Sequence, residues 1–217
     1  MKVIINIIGS IGHKSLKFIA HIGIFFLFCL SAISWIFRPP WYFKKIIFQV
    51  IDIGYFSLPV VGLTTFFSGM VLALQTYNGF TEFNSESTVA LVVLTSITRE
   101  LGPVLTGLMV AGRIGAKMAA EIATMRVTEQ IDALKTLNTN YYNYLVTPRV
   151  LALTLAMPIF VTLVDFIGVM GGYLVSIYKL GFNENLYLMN TLNFLSLSDY
   201  LSGIFKALTF GFIISIV

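Results

Sequence analysis

The sequence has little charge, a single cysteine and no extended basic or polar tract. Only 11% of its 217 residues are charged, whereas soluble domains typically carry about 25%. Hydrophobic residues make up 57% of the chain, and the mean hydropathy is +0.88. This composition excludes a soluble enzyme domain and a disordered chain. It also excludes a nucleic-acid-binding protein, because the basic residues behind the net charge of +4 are scattered among apolar runs.

The residues that most often hold metals or form disulfides are scarce. Cys29 is the only cysteine and lies in an apolar run, so a disulfide scaffold is excluded. His13 and His21 have no Cys, Asp or Glu cluster beside them, so we expect no metal site. The segment around Lys117, GRIGAKM, lacks the spacing and the Ser/Thr of a phosphate-binding loop. We therefore expect no cofactor, and no catalytic constellation stands out.

Long uncharged runs predict where the chain crosses a membrane. The clearest run covers residues 53–81, and at about 1.5 Å per residue it exceeds the roughly 30 Å thickness of a bilayer core. Three further runs, each interrupted by isolated charges or ending with the sequence, cover residues 87–112, 150–178 and 200–217. The sequence therefore predicts an all-α polytopic membrane protein, with its membrane bundle over residues 52–217.

The positions of the charges predict how these spans are oriented. Loop 77–87 contains Glu82 and Glu86 and no basic residue, whereas segment 113–149 contains five basic residues. Because cytoplasmic loops are enriched in Lys and Arg, the first loop is predicted outside and the second in the cytoplasm.

The apolar run 18–37 is also long enough to cross a membrane. A span there would leave Lys2, Lys14 and Lys17 on the outer side, against the charge rule. We therefore predict that segment 1–51 is an interfacial helix and a cytoplasmic link, with Trp41 among its interfacial aromatics. A spanning helix and a cleaved signal peptide are the alternatives.

Arg99 and Glu100 lie in the middle of the predicted span 87–112. A charge at the centre of a membrane helix costs about 2.5–3.5 kcal/mol. Adjacent helical residues point about 100° apart, which makes a pair between them geometrically poor. Pro103 cannot donate to the carbonyl of Arg99, so that oxygen is freed and the helix bends. These features indicate a polar cavity; a purely structural ion pair is the alternative.

Two more charges lie inside other predicted spans, and small residues follow the charged midpoint. Asp165 and Lys206 could pair with each other, or Lys206 could snorkel or face a cavity that holds an anionic headgroup. Gly107, Ala111 and Gly115 repeat at spacing four and predict close helix packing. Spacing alone leaves open whether this packing is within the chain or in a dimer.

The segment 121–137, EIATMRVTEQIDALKTL, changes from apolar to amphipathic. Val127, Ile131 and Leu134 fall on one helical face, and charged residues fall on the others. We interpret it as a short cytoplasmic helix that docks into a partner's groove. The alternative is a solvated helix packed on its own bundle.

The run from Arg99 to Leu137, RELGPVLTGLMVAGRIGAKMAAEIATMRVTEQIDALKTL, resembles the MlaE family of ABC-transporter permeases, which move phospholipids between bacterial membranes. The segments GHK at 12–14, GMVLALQ at 69–75 and TPR at 147–149 agree with the family in order and spacing. The resemblance therefore covers essentially the whole chain.

The resemblance implies a homodimeric permease in the bacterial inner membrane. It implies cytoplasmic ATPase partners, an MCE-domain lipid-binding protein on the outer side, and a phospholipid cavity lined by Arg99, Glu100 and Lys206. It also implies that residues 121–137 are a coupling helix on the ATPase, with these contact residues: Glu121, Arg126, Glu129, Ile131, Asp132 and Leu134. Relatives continue into one more membrane helix, so we expect this sequence to be C-terminally truncated.

The sequence therefore predicts a non-catalytic permease subunit that is driven by ATP hydrolysis in a partner chain. One alternative is an autonomous secondary transporter or channel that uses Arg99, Glu100 and Asp165, although no inverted repeat is visible. The other is an intramembrane lipid-modifying enzyme, for which no recognisable catalytic constellation is present.

Overall fold

The computed structural model describes residues 2–39, 42–80 and 85–217, with the side chains of residues 2–11, 56, 85 and 86 excepted. Within these ranges all regular elements are helical, which confirms the predicted all-α class. The α-helices are α1 (Lys2–Ile36), α2 (Phe43–Gly79), α3 (Ser85–Ser96), α4 (Gly102–Val110), α5 (Ala116–Val127), α6 (Gln130–Thr136), α7 (Thr147–Tyr178), α8 (Glu184–Phe194) and α9 (Leu197–Ile216).

Three π-helical turns join some of these helices without a break. The turns Ile97–Leu101 and Ala111–Gly115 connect α3, α4 and α5 into one long helix, and Tyr142–Val146 leads into α7. Each π turn inserts an extra residue into the helical repeat, so side chains on either side of it face different directions from those of a continuous α-helix.

Among the described residues, five helices are long and apolar enough to cross a membrane, as judged by length and composition. They are Gly12–Ile36, Phe43–Gly79, Ser87–Val127, Tyr142–Tyr178 and Leu197–Ile216. The four predicted spans are confirmed as helices, but each helix extends beyond a charge that bounded its uncharged run: Asp52, Arg113, Arg149 and Asp199. Asp52 lies inside α2 and forms an ion pair with Lys117 of α5, so neither charge is left alone in its helix.

From Gly12 onward, where its side chains are described, helix α1 touches the rest of the protein near its C-terminal end. Its described side chains from Gly12 to Leu27 are exposed, whereas Phe28 lies 5.9 Å from the Tyr142 ring and Ala32 is buried. This arrangement suits both an interfacial and a spanning helix, so the interfacial placement stays a prediction. Trp41 and Glu82, used above for the interface and the outer loop, lie outside the described residues.

Cysteine labelling tests the placement of α1. In a Cys29→Ser background, we expect Lys14→Cys and Lys44→Cys to react with an impermeant reagent only from the cytoplasmic side, because the two flank an interfacial helix. Asn185→Cys, on the exposed surface of α8 at the opposite end of α7, is the control that should react from outside. Labelling of position 14 from outside intact cells would mean that α1 spans the membrane.

Helices α2 and α7 form the centre of the bundle and approach each other closely. A Cβ atom at Gly69 would overlap the carbonyl oxygen of Gly168, and one at Gly171 would overlap that of Phe66. Small residues at such crossings let helix backbones pack in direct contact. On this pair rest two apolar clusters, one around Met157 towards the predicted cytoplasmic end and one around Val93 towards the other.

Helix α8 was not predicted from the sequence. It begins after Asn183, whose side-chain oxygen accepts a hydrogen bond from the Leu186 N–H at 3.3 Å. Asn followed by Glu is a recognisable helix start. The helix is mostly exposed but buries Tyr187 against the outer cluster, so it covers the end of α7 before the chain turns into α9.

Candidate functional site

The charged pair predicted at mid-span lies in the π-helical turn Ile97–Leu101. Arg99 and Glu100 are both exposed on the chain's surface, with Glu100 at 63%, and they are not bonded to each other. Gly102 and Pro103, directly behind them, are buried and start α4. π turns are frequent at functional sites, and here the turn presents two adjacent charges on one side of the bundle.

Lys206 of α9 holds this turn in place. Its ammonium donates to the carbonyl oxygen of Arg99 at 2.8 Å and to Oε2 of Glu100 at 2.7 Å. The Arg99 carbonyl is the one that Pro103 cannot satisfy, so the predicted free acceptor is confirmed and is used by a residue from another helix. Lys206 is itself about one-third exposed. The bond therefore leaves part of its ammonium open.

Asp199 completes the cluster from the start of α9. It lies 3.5 Å from the Arg99 guanidinium and is only 24% exposed. The cluster thus contains two cations and two carboxylates at the surface of a membrane-spanning region. Such a set can hydrogen-bond a polar ligand group through the donors of Arg99 and Lys206, because partly exposed charges keep their hydration until a ligand replaces it.

The expected pair between Asp165 and Lys206 is wrong. Lys206 bonds to Glu100 instead, and Asp165 is buried in α7 with its Oδ1 packed against Gly102. That oxygen has no hydrogen-bond partner among the described residues. The reason is geometric: Asp165 lies on the face of α7 that packs under the bend, whereas Lys206 points to the open side.

The predicted small-residue stripe divides between two environments. Gly107 is buried, and a Cβ there would lie 3.1 Å from the Phe210 ring, so it serves packing against α9. Gly115 has no described atom within 4 Å of an added Cβ, and Ala111 is half-buried. The π turn Ala111–Gly115 shifts the register, so the three residues do not form one continuous contact.

The predicted cytoplasmic helix 121–137 is two helices and not one. Helix α5 ends at Val127 and α6 starts at Gln130, with Glu129 between them in the left-handed region at φ 57°. Val127 is exposed while Ile131 and Leu134 are half-buried, so the break separates Val127 from the apolar face that was expected. The amphipathic character remains in α6 alone.

Charges fold α6 back towards α5. Asp132 accepts from Lys135 at 2.9 Å and from Arg126 at 3.3 Å. The Lys135 ammonium, with a smaller contribution from Arg126, holds the pKa of the Asp132 carboxyl below its usual value. The carboxylate and its contacts therefore persist as the pH falls below the ordinary pKa of Asp, and are lost only as the pH falls through the lowered value.

An ion pair between Glu121 and Arg149, not predicted from the sequence, connects α5 to α7. Arg149 Nη2 donates to Glu121 Oε2 at 3.0 Å, and the arginine side chain is almost entirely buried. Together with the pair between Asp52 and Lys117, this ion pair connects α5, the helix that precedes α6, to both central helices, α2 and α7. A basic residue directly before a long apolar run was a signal for Arg149, but its partner lies 28 positions away and no local pattern marks it.

The fold and the charged cluster define a multi-pass helical membrane protein with a polar site on its membrane-spanning helices. Residues 46–217 match the family model described as Permease MlaE. The chain is 58% identical over 215 residues to a probable ABC transporter permease protein of Rickettsia felis, covering 99% of this chain and 83% of the relative. Similarly named proteins of Synechocystis and Porphyra purpurea are 42% and 39% identical over 169 residues, each covering 78% of this chain and 64% of the relative.

The chain therefore belongs to the MlaE permease family. It is a permease of the ABC-transporter type, which confirms the family that the run from Arg99 to Leu137 indicated.

Proposed function

We propose that this permease moves phospholipid across or out of the bacterial inner membrane, and that ATP hydrolysed by a partner subunit drives the movement. The observation that carries the proposal is the charged cluster. Lys206 bridges the Arg99 carbonyl and Glu100, yet the cluster stays partly exposed on helices that are otherwise apolar. A phospholipid offers both a phosphate for the cations and acyl chains for the surrounding apolar surface.

A homodimer fits the open face beside the cluster. Gly112, within the π turn Ala111–Gly115, has no described atom within 4 Å of an added Cβ, and Ala116 and Ala120, which follow the turn at spacing four, are exposed. Small exposed residues at spacing four favour contact between membrane helices. A second copy on this face would enclose the cluster in a cavity between protomers, with the MCE-domain protein receiving or supplying lipid at the outer end.

The position of helix α6 favours the binding of an ATPase partner at the cytoplasmic end. It stands on α5, which is ion-paired to α2 through Asp52 and to α7 through Glu121. A push on α6 is therefore transmitted to both central helices by charged contacts as well as by the helix backbone. Purification from native membranes in mild detergent should recover an ATPase subunit, an MCE-domain protein and phospholipid together with this chain.

Loss of the ATPase tests the docking surface directly. We expect Ile131→Asp with Leu134→Asp to release the ATPase subunit and leave the permease in the membrane, because charges replace the half-buried apolar face of α6. Co-purification is the measurement. Leu186→Asp with Met189→Asp, on exposed α8 at the other end of the bundle, is the matched control and should keep the ATPase bound. Unchanged co-purification of the α6 variant would remove α6 from the interface.

The rival, an autonomous secondary transporter or channel, would relay ions through Arg99, Glu100 and Asp165. The buried oxygen of Asp165 without a described partner is the observation that favours this reading. Asp165 packs against Gly102 and does not bond to Arg99 or Glu100, so the acid is separate from the exposed cluster. Transport by the isolated chain, with no ATPase and no nucleotide, would support this rival over the proposal.

A further inference from the structure

A crevice lined by basic residues lies at the opposite end of the bundle from α8. We call it the basic crevice; its volume is about 420 Å³, and its wall includes Lys44, Lys45, Gln49, Tyr144 and Arg149. These residues come from the first turns of α2, the π turn before α7, and the start of α7. A smaller hollow of about 180 Å³ shares Gln49 and Arg149 with it and continues towards α5.

The basic crevice carries an excess of positive charge. Among the described residues that line it, Lys44, Lys45 and Arg149 are cationic and none is acidic. Glu121, which pairs with Arg149, lines only the adjoining hollow. Counting this carboxylate still leaves two cations in excess, so the crevice favours a negatively charged occupant.

Arg149 contributes a buried guanidinium to this wall. The residue is 6% exposed, its Nη1 donates to the Leu145 carbonyl at 3.3 Å, and its Nη2 donates to Glu121. Its Nε is buried and has no partner among the described residues. Because this nitrogen is closed off from the crevice, Arg149 contributes to the wall through its positive charge.

Aromatic rings fix one of the lysines at the mouth of the crevice. The Lys45 ammonium lies 3.0 Å from the centroid of the Tyr144 ring, and Tyr42 packs edge-on against Tyr144 at 5.4 Å. Tyr and Trp concentrate at the membrane–water boundary. Since Lys44 and Lys45 are also in the first turn of a spanning helix, the crevice opens at the level of the lipid headgroups.

Apolar side chains continue from the crevice along α2. Ile47, Phe48 and Ile51 are each at least 60% exposed, and Phe48 also lines the crevice. A ligand with a phosphate in the crevice could therefore place hydrocarbon chains on this surface. A soluble phosphate or an acidic peptide would make no use of it.

We infer that the basic crevice binds the headgroup phosphate of an anionic phospholipid from the cytoplasmic leaflet. The site is separate from the Arg99–Glu100–Lys206 cluster, because Met125 at the crevice follows Arg99 by roughly 40 Å of helix. A lipid held here stays in the cytoplasmic leaflet, and its headgroup contacts α2, α5 and α7 at the same time. It ties together the elements that support α6.

Lipid-dependent thermal stability tests the site. The purified chain, with the subunits that accompany it, is stripped of lipid and titrated with short-chain phosphatidylglycerol, phosphatidylcholine or inorganic phosphate. We expect phosphatidylglycerol to raise Tm at the lowest concentration. Lys44→Gln with Lys45→Gln should raise the half-saturating concentration by about 30-fold, at about 5-fold for each charge near the membrane surface.

The controls separate this site from general charge and from the transport site. Lys14→Gln with Lys17→Gln removes the same charge from exposed α1 and should leave the titration unchanged. The titration is repeated in Lys206→Met, so that binding at the cluster does not contribute. Equal weakening by both lysine pairs, or equal stabilisation by inorganic phosphate, would overturn the assignment. So would release of the ATPase by the Lys44 and Lys45 changes with unaltered phosphatidylglycerol binding, since the crevice would then be a protein contact.

Discussion

Replacing Lys206 with methionine is expected to weaken the binding of phospholipid at the charged cluster by about ten-fold or more. The ammonium donates to the Arg99 carbonyl and Glu100 while remaining about one-third exposed, so it can also reach a phosphate. A hydrogen bond from a charged donor contributes about 1.5–3 kcal/mol, which corresponds to roughly 10- to 150-fold in affinity. Methionine keeps most of the length of the side chain and removes the charge.

The same change should leave folding and assembly intact. Glu100 is 63% exposed, so the carboxylate that loses Lys206 stays hydrated. Lys179→Met, at the exposed end of α7 and outside the cluster, is the matched control and should retain normal bound lipid. The measurements are lipid phosphorus per purified complex, in a Lys44→Gln with Lys45→Gln background so that the basic crevice does not contribute, and lipid transfer between vesicles.

Glu100→Gln distinguishes a lipid site from a structural ion pair. If Lys206 binds phosphate, removing the carboxylate frees the ammonium, and bound lipid should be retained or increased. Transfer should still fall, because the lipid is then held too tightly or without its usual charge balance. If the pair is structural, both variants should lower assembly without a specific effect on lipid, since each removes the Lys206–Glu100 ion pair; Lys206→Met also removes the donor to the Arg99 carbonyl. Equal effects on assembly, with unchanged lipid in both, would remove the cluster from the transport site.

Arg99→Gln completes this series. Guanidinium can donate two parallel hydrogen bonds to a phosphate, and glutamine cannot replace them. We therefore expect Arg99→Gln to reduce bound lipid more than Glu100→Gln does.

Charges inside apolar runs located most of the candidate cluster from the sequence. Arg99, Glu100 and Lys206 each interrupt an uncharged stretch, and the high cost of such a position makes each one informative. Asp199 was missed because it lies at the first turn of α9, where an acidic residue is ordinary. Sequence shows which charges are in the membrane, but not which of them meet across helices.

The π turns explain why the facing of several residues could not be predicted. Arithmetic at 3.6 residues per turn placed Gly107 and Gly115 on one stripe, but the turn Ala111–Gly115 lies between them and adds a residue. A second π turn, Ile97–Leu101, has a similar effect on Asp165. The turn sets the position of Gly102, and the carboxylate of Asp165 packs in the space beside that glycine. No residue type in a sequence indicates where a π turn will form.

The bounds of the helices depended on contacts distant in sequence. Asp52 was expected to mark the N-terminal bound of its helix, but α2 continues through it and begins at Phe43. Lys117, 65 positions later in the sequence, pairs with Asp52 and neutralises its charge. Similarly, the break at Thr128 and Glu129 is set by the left-handed backbone of Glu129 and not by a proline or glycine. Hydropathy alone therefore located the four long apolar helices after α1 but not their ends.

The pair between Glu121 and Arg149 should give the largest effect on stability, and the effect should be asymmetric. Arg149 is 8% exposed at its side chain and Glu121 is 44% exposed. Glu121→Gln leaves a buried guanidinium without its carboxylate, and breaking a buried pair costs about 3–5 kcal/mol. Because one partner is half-exposed, we expect the lower end, about 3 kcal/mol. For a chain of this length that corresponds to a fall in Tm of about 6–12 °C.

Arg149→Met should be milder, because the carboxylate that remains on Glu121 reaches water. Adding Arg149→Met to Glu121→Gln should therefore restore part of the lost Tm, since the double variant no longer buries an uncompensated charge. Asp132→Asn, which removes the exposed ion contacts of Asp132 with Lys135 and Arg126, is the control and should lower Tm much less than Glu121→Gln does. Thermal unfolding of the four purified variants measures the cycle. Equal losses for Glu121→Gln and the double variant would show that α5 and α7 are held together by apolar packing, with the buried guanidinium satisfied by another acceptor.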